Sequence, residues 1–95
     1  MPHLDPLAAQ QRKRDQERTT QRLVAALQSL GCREDTRTTT QLRTFAHESE
    51  FDRYYFITPS GGLFVGRCPS RRMAAHLDRA RLLKIADELE RKAAS

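Results

Sequence analysis

The stretch RYYFITPSGGLFVGR, residues 53–67, decides the fold. Arg53 to Thr58 is rich in aromatic and β-branched side chains, which suit a pleated, half-buried surface. Leu63 to Arg67 is a second short run of the same kind. Pro59-Ser60-Gly61-Gly62 lies between them, and these residue types set the dihedral angles of a tight turn. The three pieces predict an antiparallel β-hairpin.

Working upstream, residues 36–46 hold Thr36, Thr38, Thr39, Thr40, Thr44 and Phe45, a composition that predicts one more strand. The acidic segment 47–52 turns the chain from it into the hairpin. Before that, Asp5 followed by Pro6 reads as an N-cap with proline at the first helical position, and Gly31 as the residue that stops the helix. Leu23, Val24, Leu27 and Leu30 form one apolar stripe able to bury against a sheet. Residues 10–22, QQRKRDQERTTQR, carry no apolar side chain. Residues 1–20 are therefore read as a polar arm or helical extension, and 21–95 as the folded domain.

Downstream, Cys68-Pro69-Ser70 ends the last strand, and Ser70 is suited to cap a helix reaching about Lys92. Asp87 with Arg91 and Glu88 with Lys92 are favourable i, i+4 pairs on that helix. Its apolar stripe changes face. Met73, Leu77 and Ala80 lie on one side, expected to pack on the sheet; Leu82, Ile85 and Leu89 lie nearly opposite, expected to meet the first helix or a second copy in a homodimer. The expected fold is α+β, in the order helix, three-stranded antiparallel sheet, helix.

Bulk properties narrow the function. Ninety-five residues make one domain, too small to house a deep pocket beside a full core. No apolar run is long enough to span a membrane and no signal-peptide core opens the chain, so the expected address is the cytoplasm. Cys32 and Cys68 are too few for a disulfide scaffold, and with His3, His47 and His76 they show no metal-ligand spacing; no metal or cofactor is expected. The two thiols read as small buried hydrophobes.

Charge is the informative feature. The net charge is +5 with a pI near 9.9, and all but three of the 17 basic residues are arginine, whose planar fork suits phosphate and carboxylate. Residues 53–84 alone hold seven basic side chains against one acidic. Within them, Ser70-Arg71-Arg72 at the expected start of the last helix would join backbone N–H groups, a hydroxyl and two guanidinium groups into a phosphate site. Arg72, His76 and Arg79 share a helical face at i, i+4, i+7 and extend it. Tyr54, Tyr55, Phe56 and Phe64 could stack on bases, but in so small a domain they read first as core.

Over residues 21–84 this order resembles the double-stranded-RNA-binding domain. His47 and Phe51 have the spacing of that family's histidine-bearing turn, and Ser70, Arg71, Arg72 and Ala74 follow the opening of its last helix. The resemblance implies phosphate contacts from Arg71 and Arg72 and a minor-groove approach by His47. Tyr54-Tyr55-Phe56 followed by Leu63-Phe64-Val65-Gly66, with arginines and His76 beyond, resembles the opening of a GIY-YIG nuclease. There Phe64 replaces a tyrosine and lacks its hydroxyl, so no enzyme is expected. The expectation is a non-enzymatic module that binds duplex nucleic acid through Ser70, Arg71, Arg72, His76, Arg79 and His47. The alternative is a small adaptor or inhibitor, such as a phage-type anti-CRISPR protein, docking on an acidic or nucleic-acid-binding partner.

Overall fold

The structure, a computed structural model, describes residues 6–36, 42–50 and 52–94. The fold is α+β. Helix α1 spans Pro6–Ser29, strands β1 to β5 span Arg33–Glu34, Arg43–Ala46, Tyr54–Ile57, Leu63–Gly66 and Arg72–Ala74, and helix α2 spans His76–Ala94. A 3-10 turn, Pro69–Arg71, links β4 to β5. The strands form one antiparallel meander in sequence order.

The hairpin forms as predicted, with Tyr55 opposite Val65 and Ile57 opposite Leu63. Gly31 stops α1 as expected. At φ 91° it adopts the left-handed conformation, and the Gly31 and Cys32 amides donate to the carbonyls of Gln28 and Leu27 at 3.0 Å each, the paired closure of a Schellman motif. Residues 6–18 of α1 are exposed, as their largely polar sequence requires.

The sheet has five strands where the sequence predicts three. Two residues of β1 leave no readable pattern, and β5 lies inside the segment expected to open the last helix. That helix begins at His76, not Ser70. Arg-Met-Ala-Ala favours helix locally, but the Ala75 amide donates to the Leu63 carbonyl at 3.0 Å and residues 72–74 pair with β4. Tertiary pairing overrides local propensity here. Of the strand expected over 36–46, residues 43–46 are β2; Thr38, Thr39 and Thr40 lie outside the described residues, as do Asp5 and Phe51.

Cross-strand neighbours share a face, and alternation sorts the sheet into two surfaces. Phe45, Tyr55, Ile57 and Leu63 face the helices. Phe45, Ile57 and Leu63 join Leu23, Val24, Ala26, Leu27 and Leu82 in one buried cluster, with Tyr55, Ala75, Leu83 and Ile85 packed on it. Leu82 and Ile85 of the α2 stripe thus pack within the chain, the intrachain option of the sequence reading, whereas Leu89 is half-buried outside this cluster. Arg22 secures this contact. Its guanidinium pairs with Asp87 and lies 3.0 Å from a Glu90 carboxylate oxygen. The other half corrects the expectation: Met73 and Leu77 are 76% and 88% exposed and stand outside the core. Leu30 is also half exposed.

Candidate functional site

The second surface of the sheet carries no described helix. Register places Arg33, Ala46, Tyr54, Gly66 and Arg72 in one row across all five strands, and Thr44, Phe56, Phe64 and Ala74 in the next. Arginines stand at both edges, about 19 Å apart at four inter-strand spacings. Tyr54 and Phe64 are half-buried between them, and Phe56 is buried with its ring centroid 6.4 Å from that of Tyr54. Ala46, Gly66 and Ala74 keep the rest of the surface low.

The β5 corner owes its shape to Gly66. A Cβ there would lie 2.8 Å from Arg72 Cα and 2.9 Å from the Arg71 carbonyl carbon, closer still to the Arg71 oxygen, so only glycine lets the 3-10 turn double back on β4. The Arg71 amide donates to the Cys68 carbonyl at 3.0 Å. Arg72 Nη1 donates to the Pro69 carbonyl at 2.9 Å, and its guanidinium stands 5.2 Å from the Phe64 ring centroid, a cation–π contact. Arg71 is exposed. Arg67 pairs with Asp52 at 3.3 Å and Arg33 with Glu48 at 3.7 Å, all four side chains largely exposed. Such pairs are worth about 0–1 kcal/mol and yield readily to a competing anion.

The turn also sets the chemistry of Cys68. Its Sγ lies 3.2 Å from the Ser70 hydroxyl. That hydroxyl foremost, then the Arg71 and Ser70 amides and the Arg71 charge, hold the thiol below its ordinary pKa against a desolvation that pushes it up. Cys32 is buried, and burial first, with Glu50 adding, raises its thiol. Cys68, half-buried, therefore departs from the buried role expected for it.

The six residues expected to form one site are distributed differently. Ser70, Arg71 and Arg72 stay together, but on a 3-10 turn and an edge strand, so no α-helix dipole stands behind them. Arg72 does not share a helical face with His76 and Arg79. His76 opens α2 and is exposed. Arg79 is half-buried and donates through Nε to the Gly61 carbonyl at 2.9 Å, bracing the hairpin turn. His47 follows β2 at the same end of the sheet as Arg72, about 14 Å away at three inter-strand spacings. Its Nδ1 accepts the Ser49 amide at 3.0 Å. Arg33, Arg67 and the surface carrying Tyr54 escaped the sequence reading, because their grouping depends on strand register.

Tyr54 and Tyr55, adjacent on β3, point to opposite faces, and Tyr55 lies 3.4 Å from Glu50 through its hydroxyl. Among the described residues no cluster of His, Cys, Asp or Glu could hold a metal ion, and no helix is long and apolar enough to cross a membrane. No family model, no curated protein and no solved structure matches the chain.

Proposed function

We propose that the protein is a non-enzymatic module that binds nucleic acid, its arginines gripping phosphates at the edges of the sheet surface that carries no described helix. The observation that carries this reading is the row Arg33, Tyr54, Arg72, with Phe64 alongside and Arg67 and Arg71 at the β5 corner. Guanidinium groups contribute charge-assisted bonds to phosphate, and rings at a sheet surface offer stacking to bases. The duplex expected from the sequence needs only the arginines. Tyr54 and Phe64 add a use for unpaired bases, and this favours a single strand over a duplex.

The test is fluorescence anisotropy of labelled single-stranded and duplex oligonucleotides over a range of salt. Log affinity should fall with log salt at about −0.7 per phosphate neutralised for a single strand and −0.9 for duplex DNA. Arg71→Ala with Arg72→Ala should weaken binding to all sequences and flatten that slope by about 1 for each phosphate no longer neutralised. Tyr54→Leu should cost about 1–3 kcal/mol for the single strand and little for the duplex. Absence of any binding below about 100 μM at physiological salt, within reach of non-specific binders, would overturn the proposal.

A further inference from the structure

Among the described residues, strand β5 is an unpaired edge of the sheet with two different sides. Because Ala75 bonds inward to Leu63 and Phe64 stands opposite Ala74, the antiparallel pattern turns the Met73 and Ala75 backbone groups towards β4 and those of Arg72 and Ala74 outwards. On the helix side of this edge lie Met73 and Leu77, two large apolar side chains 76% and 88% exposed, at a shallow groove with Val65 and Ala75. On the other side lies Arg72. The opposite edge, β1, is blunted by charged Arg33 and Glu34, as exposed edges usually are. β5 has no such protection where Met73 stands.

We propose that β5 accepts an extended segment of a protein partner, paired as a sixth strand, in which acidic and apolar residues alternate. Alternation follows from the edge itself: successive residues of an added strand point to opposite sides, so one set meets Met73 and Leu77 and the other meets Arg72. The charge of the surroundings selects acidic residues. Residues 71–84 hold Arg71, Arg72, Arg79, Arg81 and Lys84 against Asp78 alone, and the Asp78 carboxylate is engaged by Arg53 at 3.5 Å. A second copy is a poor occupant. It would bring the same cations to the same edge, and a three-residue strand with two apolar side chains falls well short of the ~800 Å² per partner of a stable interface. This surface shares only the Arg72 cation with the nucleic-acid reading, because Met73 and Leu77 lie on the helix side, away from the sheet surface that carries Tyr54.

The probe is a fluorescein-labelled ten-residue peptide of alternating glutamate and valine, titrated by anisotropy at physiological salt. Saturable binding is expected with a Kd on the order of 100 μM, typical of a weak contact of small area. Met73→Asp and Leu77→Asp, both at exposed positions, should each weaken it at least about tenfold by placing a carboxylate in the apolar contact. Ala74→Pro removes an outward N–H while sparing the bonds to β4 and should weaken it similarly, with an unchanged circular dichroism spectrum. Tyr54→Leu should leave peptide affinity unchanged. Peptide binding should slow amide exchange at Arg72 and Ala74. No binding at about 1 mM peptide, equal binding of a lysine–valine peptide, or indifference to all three edge variants would overturn the proposal. So would a wild-type dimer in sedimentation equilibrium that Met73→Asp dissociates, since the edge would then be covered by a second copy.

Discussion

Gly66→Ala tests the corner on which both proposed surfaces depend. The added methyl group would meet Arg72 Cα at 2.8 Å and the Arg71 carbonyl carbon at 2.9 Å. The Arg71 carbonyl oxygen lies nearer still, so reaching ordinary separations of about 3.5 Å requires the backbone to retreat by more than ~1 Å. All three nearest atoms belong to backbone, so no side chain can rotate out of the way. Overpacking costs about 1–3 kcal/mol, and this site belongs at the upper end; a stiffer unfolded chain returns about 0.4–1 kcal/mol. A net loss of about 2 kcal/mol lowers Tm by roughly 8–16 °C in a domain of this size. Urea unfolding followed by far-UV circular dichroism measures it, with Gly62→Ala as the comparison. There the nearest atom is the Thr58 hydroxyl at 3.0 Å, a side-chain group able to shift, and the cost should stay below about 1 kcal/mol. A Gly66→Ala variant within about 0.5 kcal/mol of wild type would refute the doubled-back corner.

Leu82→Ala should destabilise the chain by about 2–5 kcal/mol with no change in sedimentation mass, since Leu82 is 3% exposed within a single chain's core; a change in mass would return it to a subunit interface. Arg72→Ala should cost about 0.5–1 kcal/mol of stability through its contact with Phe64. A gain in Tm would instead indicate an arginine opposing a helix dipole. Cys68 should react with iodoacetamide well before Cys32 at mildly alkaline pH, because a lowered pKa raises its thiolate fraction and burial suppresses that of Cys32. Ser70→Ala should raise the Cys68 pKa and slow that reaction, which mass spectrometry follows; an unchanged rate would discount the hydroxyl.

The hairpin was legible because its signals are local: aromatic and β-branched runs on either side of Pro59-Ser60-Gly61-Gly62. The end of α1 was legible for the same reason, Gly31 being one of few residues suited to its conformation. Residues 70–74 misled because each local signal there is ambiguous. Serine caps α-helices and also sits in 3-10 turns; Arg, Met and Ala favour helix, yet three of them complete a sheet when β4 offers unpaired backbone groups. The choice between those outcomes lies in Gly66, four residues before Ser70, whose missing side chain admits the returning chain. Misplacing the helix start also misplaced the face of Met73, so a core residue was expected where an exposed one stands. The basic character of residues 53–84 was legible, but which arginines act together was not, since Arg33 and Arg72 are neighbours in a row only once register is known.

The two surfaces of β5 divide its chemistry in a way that a helix at the same position could not. A strand sends Arg72 and Met73 to opposite sides, so one three-residue element offers a cation to the sheet surface that carries Tyr54 and an apolar group to the helix side. Were residues 70–74 helical, Arg71 and Arg72 would lie about 100° apart on one cylinder, and a phosphate reading would absorb both. In the strand, only the Arg72 side chain is shared between the two proposed partners. Its guanidinium already lies over Phe64 and is tied to the Pro69 carbonyl, so it is held ready without being neutralised. Nucleic acid and acidic strand should therefore compete for this one cation while otherwise using separate residues. Partial rather than complete displacement of a bound oligonucleotide by the glutamate–valine peptide is the expected result, and Arg72→Ala should remove the competition. Competition that persists in Arg72→Ala would place the overlap elsewhere.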